Sequence, residues 1–120
     1  NSITYSGKKI EVDAVTELIP GKKIVIIPDT APCTGAVELA QDADILISEA
    51  TYSSIHAEKA EQHLHMTGAQ AAMLANQANV KKLILTHFSQ RYPTVKDIEE
   101  DAKTYFPGVV CAYDFMHLNL

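Results

Sequence analysis

Short runs of β-branched and aliphatic residues recur along this chain, and they limit its possible folds more than any other feature. They cover residues 24–27, 45–47, 83–85 and 109–113, and a polar loop and a segment with helical spacing separate successive runs. The runs are largely apolar at consecutive positions, which is typical of strands covered on both faces. Strands that alternate with helices in this way predict an α/β fold with a largely parallel sheet.

Three helices are expected between these strands, because apolar residues recur there at intervals of three and four. Their apolar positions are Val37, Leu39, Ala40 and Ala43, then Ala71, Leu74, Ala75 and Ala78, then Val95, Ile98, Ala102 and Tyr105. The second helix has a clear start, since Thr67 and Gln70 have the S/T-x-x-E/Q spacing of a capping box. Residues 21–120 therefore form the strand–helix repeat, preceded by a peripheral hairpin and connection in residues 1–20, with its turn at Ser6-Gly7.

Composition narrows the class of protein. The 120 residues are 47% hydrophobic, enough for one core, and the net charge of −5 argues against holding nucleic acid by bulk electrostatics. No apolar run approaches the roughly 20 residues of a membrane-spanning helix.

Cys33 and Cys111 follow no metal-binding spacing, which predicts buried, reduced thiols and a cytoplasmic protein. Residue 1 is Asn rather than Met, so we expect the natural start to lie upstream.

Polar side chains follow three of the predicted strands. Asp29 comes after the first, Glu49 after the second and His87 after the third. Each has an ordinary alternative, since Asp29 could cap a helix, Glu49 could be a solvated carboxylate and His87 a hydrogen-bonded loop histidine. Ligands of parallel sheets gather at the carboxyl ends of the strands, so three such groups at one edge favour a single site.

Three further histidines lie between Thr51 and the predicted helix start. His63 and His65 have the spacing of a metal-binding pair only if the segment is an extended strand, which its sequence does not favour. His65 is the stronger candidate, because it lies beside the capping residue Thr67. We expect His56 and His63 to be surface residues.

Four segments, taken together, resemble the successive C-terminal motifs of ribonuclease Z, the tRNA 3′-processing endonuclease of the metallo-β-lactamase fold. They cover residues 21–33, 43–51, 65–72 and 83–92, and the most specific piece is Leu85-Thr86-His87-Phe88-Ser89-Gln90-Arg91-Tyr92. The resemblance covers nearly the whole chain. It implies that residues 1–120 are the C-terminal half of an αββα sandwich, one sheet with its covering helices. Because a single sheet with helices on one face leaves its other face unburied, we expect this chain to expose apolar strand residues unless the other half covers them.

The resemblance implies two zinc ligands and a histidine proton donor that is oriented by a glutamate. Asp29 matches a carboxylate that bridges two zinc ions, and His87 matches an imidazole ligand of one of them. Glu49 and His65 match the Glu of a His-Glu-Ala-Thr motif and the His of a His-Ser-Thr motif, which resemble a carboxylate-oriented proton donor to the leaving 3′ oxygen. Two zinc ions generate hydroxide near neutral pH for attack on phosphorus, and a positioned acid protonates the leaving group.

Two more residues match substrate-binding positions of the family. Thr67 corresponds to the Thr of the His-Ser-Thr motif, and Arg91 resembles a phosphate contact near the scissile bond. The chain departs from the family pattern at Pro28, Ala31, Ser48 and Met66. These departures concern loop shape and phosphate contacts, because none of them removes a ligand.

The resemblance also implies an incomplete site. The His-x-His-x-Asp-His loop of the family is absent from the sequence, and Asp29 and His87 are two ligands where a catalytic zinc usually has three. We therefore expect the chain alone to be inactive. The N-terminal half that carries this loop would complete the enzyme. The complete enzyme would form a homodimer and cleave precursor tRNA at its 3′ side.

Two alternatives to this function remain open at the level of sequence. One is hydrolysis of another ester, such as a sulfate or cyclic nucleotide ester, because this fold serves many substrates. The other is a non-catalytic binding or assembly module that has lost its metal loop. The joint presence of Asp29, Glu49, His65 and His87 argues against the second alternative, since a dead site has no physical need for all four.

Overall fold

The computed structural model describes residues 2–120 and contains six strands, five α-helices and a short 3₁₀ turn. In chain order they are β1 (Ser2–Tyr5), β2 (Lys8–Glu11), α1 (Val12–Val15), β3 (Ile24–Ile27), α2 (Thr34–Ala40), β4 (Ile45–Glu49), the 3₁₀ turn (Ser54–His56), α3 (Ala57–Gln62), α4 (Gly68–Gln77), β5 (Lys82–Thr86), α5 (Lys96–Lys103) and β6 (Val110–Cys111). The three predicted helices and the predicted strands are all present. The sequence pattern did not predict α1, the 3₁₀ turn or α3.

The main sheet has the order β3-β4-β5-β6, and all its pairs are parallel. Ile24 lies beside Ile45, and Ile45 lies beside Lys82, so the first three strands begin at the same level. The α/β prediction is confirmed. Because the strands are parallel and aligned, the loops after β3, β4 and β5 leave the sheet at one common edge.

One face of the sheet is covered by helices and forms the core. Val25, Leu46 and Leu83 are aligned on this face and are at most 5% exposed. They pack in one cluster with alanines of α4, including Ala71 and Ala75. Small side chains let α4 approach the sheet closely. The start of this helix lies near the carboxyl end of β4, because the Gly68 N–H donates to the carbonyl of Tyr52, three residues after that strand ends, over 2.9 Å.

The other face of β3 is open in this chain. Ile24 and Ile26 are 45% and 59% exposed, although Val25 and Ile27 are buried. This agrees with the expectation that one sheet with helices on one face leaves its other face exposed in this chain. A run of four consecutive apolar residues on a strand with one wet face is unusual, because an exposed face ordinarily carries polar residues.

The beginning of α4 is fixed by three local contacts. The predicted capping box is present: the Gln70 N–H donates to Thr67 Oγ1 over 3.1 Å, and the Thr67 N–H donates to Gln70 Oε1 over 2.9 Å. Asp101 of α5 accepts the Ala69 N–H over 2.8 Å. A Cβ atom at Gly68 would lie 2.6 Å from the carbonyl oxygen of Ile98, so only glycine permits this approach of α4 and α5.

Strands β1 and β2 form a separate antiparallel hairpin. The described residues before Val25 are all exposed or half-buried. Asn1, the first residue of the predicted peripheral segment, lies outside the described residues. The radius of gyration is 19.7 Å, whereas a compact chain of this length has roughly 14 Å. The hairpin therefore extends away from the core and contributes little to it.

Both cysteines are free, but they are not both buried. Cys111 is half-buried in β6, whereas Cys33 is exposed just before α2. The prediction of a buried thiol is wrong for Cys33, because its apolar neighbours in sequence do not cover it in space. No helix within residues 2–120 has the length and apolar character needed to cross a membrane.

Candidate functional site

The candidate site lies at the common edge where the parallel strands end. Ile27 pairs with Ser48, and Glu49 pairs with Thr86, so the residues that follow the three strands are neighbours. Glu49, His65 and His87 each offer one ligand atom, and these atoms lie within 4.8 Å of one another. The structure therefore brings together one carboxylate and two imidazoles, a donor set with the nitrogen and oxygen chemistry that zinc accepts.

The buried centre of the site is the Glu49 carboxylate, whose side chain is 0% exposed. Its Oε1 accepts the Thr30 N–H over 2.8 Å and lies 3.1 Å from His65 Nδ1. Its Oε2 accepts the Thr51 hydroxyl over 2.6 Å, the Thr51 N–H over 3.3 Å and the Met66 N–H over 3.1 Å. A carboxylate has about four lone-pair positions, so these donors saturate it. Glu49 is thus better suited to orienting its neighbours than to binding a metal directly.

His65 is held by two carboxylates through one ring nitrogen. Its Nδ1 lies 3.1 Å from Glu49 Oε1 and 3.0 Å from Asp29 Oδ1. Carboxylates accept hydrogen bonds when ionised, so Nδ1 carries the proton shared between them. The Nε2 nitrogen is then left for chemistry at the open side of the site. The His65 side chain is 19% exposed, which allows this access.

Asp29 lies on the exposed side of the site, with 64% of its side chain accessible. The alternative of a helix cap does not hold, because Cys33 rather than Asp29 occupies the N-cap position of α2. The contact with His65 is instead the interaction that joins the loop after β3 to the loop before α4. An exposed carboxylate at this position is free to bind a cation on its solvent side.

His87 directly follows β5 and has a backbone φ of +61°. This left-handed conformation is uncommon for a residue with a side chain and is often found at functional positions. The turn is held by the Ser89 N–H, which donates to the Thr51 carbonyl over 3.0 Å. His87 Nδ1 also lies 3.0 Å from Thr51 Oγ1, and the His65 and His87 rings are 5.5 Å apart. The strained turn thus directs His87 toward His65.

The two residues matched to substrate binding lie in different environments. Thr67 is 2% exposed and its hydroxyl is used in the α4 cap, so any substrate contact by Thr67 stays a prediction. Arg91 is exposed in the loop after β5, where its backbone N–H donates to Ser89 Oγ over 3.3 Å. Its position permits contact with a ligand that approaches the site edge.

Of the two histidines expected at the surface, only His63 is fully there. It borders an open cleft of about 440 Å³ with Asp29 and Thr30. His56 is half-buried, and its Nδ1 lies 2.6 Å from the Tyr92 hydroxyl. The surface prediction is wrong for His56, because Tyr92 folds back against the 3₁₀ turn from 36 residues away.

Thr51 is the residue of the site that sequence reasoning passed over. The sequence pattern places it in the segment after Glu49 and assigns it no role. Its contact with Glu49 joins residues two apart, but its contact with His87 spans 36 residues of the chain, which no local pattern reports.

Comparison with known proteins gives one consistent result. A family model described as a beta-lactamase superfamily domain matches residues 13–88. Ribonuclease Z of Protochlamydia amoebophila is 40% identical over 95% of this chain and 37% of its own length, and that of Chlamydia pneumoniae is 41% identical over 94% and 37%. The crystal structure of human tRNase Z, short form, superposes with a TM-score of 0.66 at 34% identity, covering 92% of this chain and 36% of that one. The chain thus spans little more than a third of the curated relatives' length.

Proposed function

Because this chain belongs to the β-lactamase superfamily and is homologous to ribonuclease Z, we propose that it is the C-terminal half of a zinc-dependent endoribonuclease. The completed enzyme cleaves precursor tRNA at its 3′ side. The observation that carries this proposal is that the fully buried Glu49 carboxylate contacts His65 directly and His87 through the Thr51 hydroxyl. A binding module without a reaction to perform gains nothing from a buried carboxylate that orients two imidazoles.

Asp29 and His87 are the residues that would hold metal. Asp29 presents an exposed carboxylate, and the hydrogen bond at His87 Nδ1 leaves Nε2 as the ligand atom. A bound zinc pair supplies hydroxide near neutral pH and polarises the phosphoryl group. The remaining ligands belong to the half of the enzyme that this chain does not carry, since two protein ligands do not complete a zinc site.

His65 is assigned the proton donor, oriented by Glu49. The contacts of Nδ1 with Glu49 and Asp29 fix the ring and keep one proton on Nδ1, so the proton that the protonated ring gives up is the one on Nε2. That proton passes to the departing 3′ oxygen, which otherwise leaves as a poorly stabilised alkoxide. Arg91 is assigned a phosphate contact, because it is exposed on the loop after His87. Thr67 supports the site by capping the helix that begins at Gly68, three residues after His65.

The division of roles between the two histidines is tested in the completed enzyme. His65→Ala should keep nearly all its zinc while cleavage slows by about 10²–10⁴-fold, the usual contribution of a general acid. His87→Ala should lose zinc as well as activity. His63→Ala is the matched control, because His63 is exposed and only two residues from His65, and it should keep both. Equal depletion of zinc in the His65 and His87 variants would contradict the division.

The missing half is also expected to cover the open face of β3. Apolar burial contributes roughly 25 cal/mol per Å², so leaving Ile24 and Ile26 in water costs stability that a partner surface recovers. We therefore expect residues 1–120 alone to self-associate or aggregate. The completed enzyme is expected to be a homodimer that acts in the cytoplasm.

This partner proposal is tested by sedimentation and hydrogen exchange. Ile26→Lys should reduce self-association of the chain and also weaken its binding to the N-terminal half. Ile3→Lys in the hairpin is the matched control, since Ile3 is 61% exposed, close to the 59% of Ile26. A stable and well-protected monomer of residues 1–120 would show that this chain is a complete domain.

A further inference from the structure

The Thr51 hydroxyl lies between a carboxylate and an imidazole. Its Oγ1 is 2.6 Å from Glu49 Oε2 and 3.0 Å from His87 Nδ1, and the residue is only 6% exposed. The Thr51 backbone is fixed as well, because its N–H donates to the same carboxylate and its carbonyl accepts the Ser89 N–H. The hydroxyl therefore has little freedom to choose other partners.

The direction of both hydrogen bonds follows from the number of protons. An ionised carboxylate only accepts, so the single hydroxyl proton of Thr51 is used in the 2.6 Å bond to Glu49. In the 3.0 Å contact, the hydroxyl oxygen must accept and His87 Nδ1 must donate. His87 is then the Nδ1–H tautomer, and its Nε2 carries a free lone pair.

We propose that Thr51 is a positioning residue that fixes the tautomer of His87 and so makes Nε2 available to a metal ion. This inference rests on the proposed function, because it takes His87 as a metal ligand. Histidine ligands generally have their second nitrogen bonded to a carboxylate, carbonyl or water. Here the carboxylate of Glu49 acts through a hydroxyl. The same carboxylate contacts His65 directly, so one buried group favours a proton on Nδ1 of both imidazoles.

Threonine suits this position better than serine for a conformational reason. Its β-branched side chain restricts χ1, which holds the hydroxyl between its two partners. Serine can form the same bonds with more rotational freedom, whereas valine has the same shape without a hydroxyl. The series Thr, Ser and Val at position 51 therefore separates the hydrogen bond from the packing.

The first measurement is made on the metal-free completed enzyme by ¹⁵N nuclear magnetic resonance of the histidine rings. The wild-type protein should show His87 protonated at Nδ1, and Thr51→Val should shift His87 toward the Nε2–H tautomer. Thr51→Ser should keep the wild-type tautomer. Ser48→Ala is the matched control, because Ser48 is a buried hydroxyl only three residues from Thr51 that donates to the Glu49 carbonyl and not to a histidine.

The second measurement is zinc affinity by competition with a chelating dye. Thr51→Val should bind zinc about 10–100-fold more weakly, the usual effect of losing the hydrogen-bond partner of a ligand. Thr51→Ser should recover most of the affinity, and Ser48→Ala should keep it. An Nε2–H tautomer in the wild-type protein, or unchanged tautomer and affinity in Thr51→Val, would overturn the inference. If the wild-type enzyme binds no zinc, the proposed function fails, whereas the tautomer measurement still decides the role of Thr51.

Discussion

The two sides of the site differ in how completely this chain builds them. On the buried side, Glu49, Thr51 and Thr67 are at most 6% exposed, and their side chains are hydrogen-bonded within the chain. On the exposed side, the Asp29 side chain is 64% accessible, and His87 faces solvent. The difference indicates that the buried groups orient the site, while the exposed groups are available to a ligand. This chain supplies the groups that orient the site, and under the proposed function the ligands that close it lie on the other half of the enzyme.

The largest effect expected from this contrast is on stability. Glu49→Ala leaves several buried donors without an acceptor, each worth about 1–3 kcal/mol, and should lower the free energy of unfolding by about 3–5 kcal/mol. Asp29→Asn removes one carboxylate from an exposed position and should change the free energy of unfolding by about 0.5 kcal/mol or less. Denaturant unfolding of both variants in the completed enzyme measures the difference. Similar losses from the two variants would contradict the contrast.

A smaller effect is expected at the helix that carries the buried side. Gly68→Ala would ordinarily stabilise a helix by about 1 kcal/mol. Here the added Cβ meets the Ile98 carbonyl oxygen at 2.6 Å, so we expect a net loss of about 1–3 kcal/mol. Gly35→Ala in α2 is the control, because a Cβ there has no atom of the described residues within 4 Å. Thermal unfolding should show opposite signs for the two substitutions.

The smallest expected effect concerns the reactivity of the two cysteines, because Cys33 is exposed and Cys111 is half-buried. Burial raises the pKa of the Cys111 thiol from 9.0 to about 11. Below pH 9 this reduces the reactive thiolate about 100-fold relative to an ordinary cysteine. Cys33 is exposed beside the open side of the site, so iodoacetamide at pH 8 should modify Cys33 first. Mass spectrometry resolves the order, and Cys33→Ser should leave a chain that reacts slowly. Faster labelling of Cys111 would contradict its burial.

Local signals in the sequence were sufficient for most of the fold. Strand β3 occupies the predicted residues, and the Thr67–Gln70 capping box forms as expected, because both depend on near neighbours in sequence. The resemblance to ribonuclease Z drew attention to His65 and His87, but it did not show how they are oriented. That orientation depends on Thr51, which approaches His87 only after the sheet has formed.

Exposure was harder to predict than secondary structure. The open apolar face of β3 agrees with a sheet that has helices on one face only, but Cys33, which is predicted to be buried, is exposed. His56 was assigned to the surface from its polarity, yet the Tyr92 hydroxyl lies 2.6 Å from its ring. Both errors arise from tertiary contacts, which are made or missing independently of local pattern.

The central claim is that this chain orients a zinc site but does not complete it. The most direct test is a calorimetric zinc titration of residues 1–120, alone and together with the half that carries the metal loop. We expect weak binding by the chain alone, because Asp29 and His87 provide two ligands where a catalytic zinc has three. Tight binding of two zinc ions should appear only when both halves are present. Tight, near-stoichiometric binding of two zinc ions by residues 1–120 alone would contradict the claim.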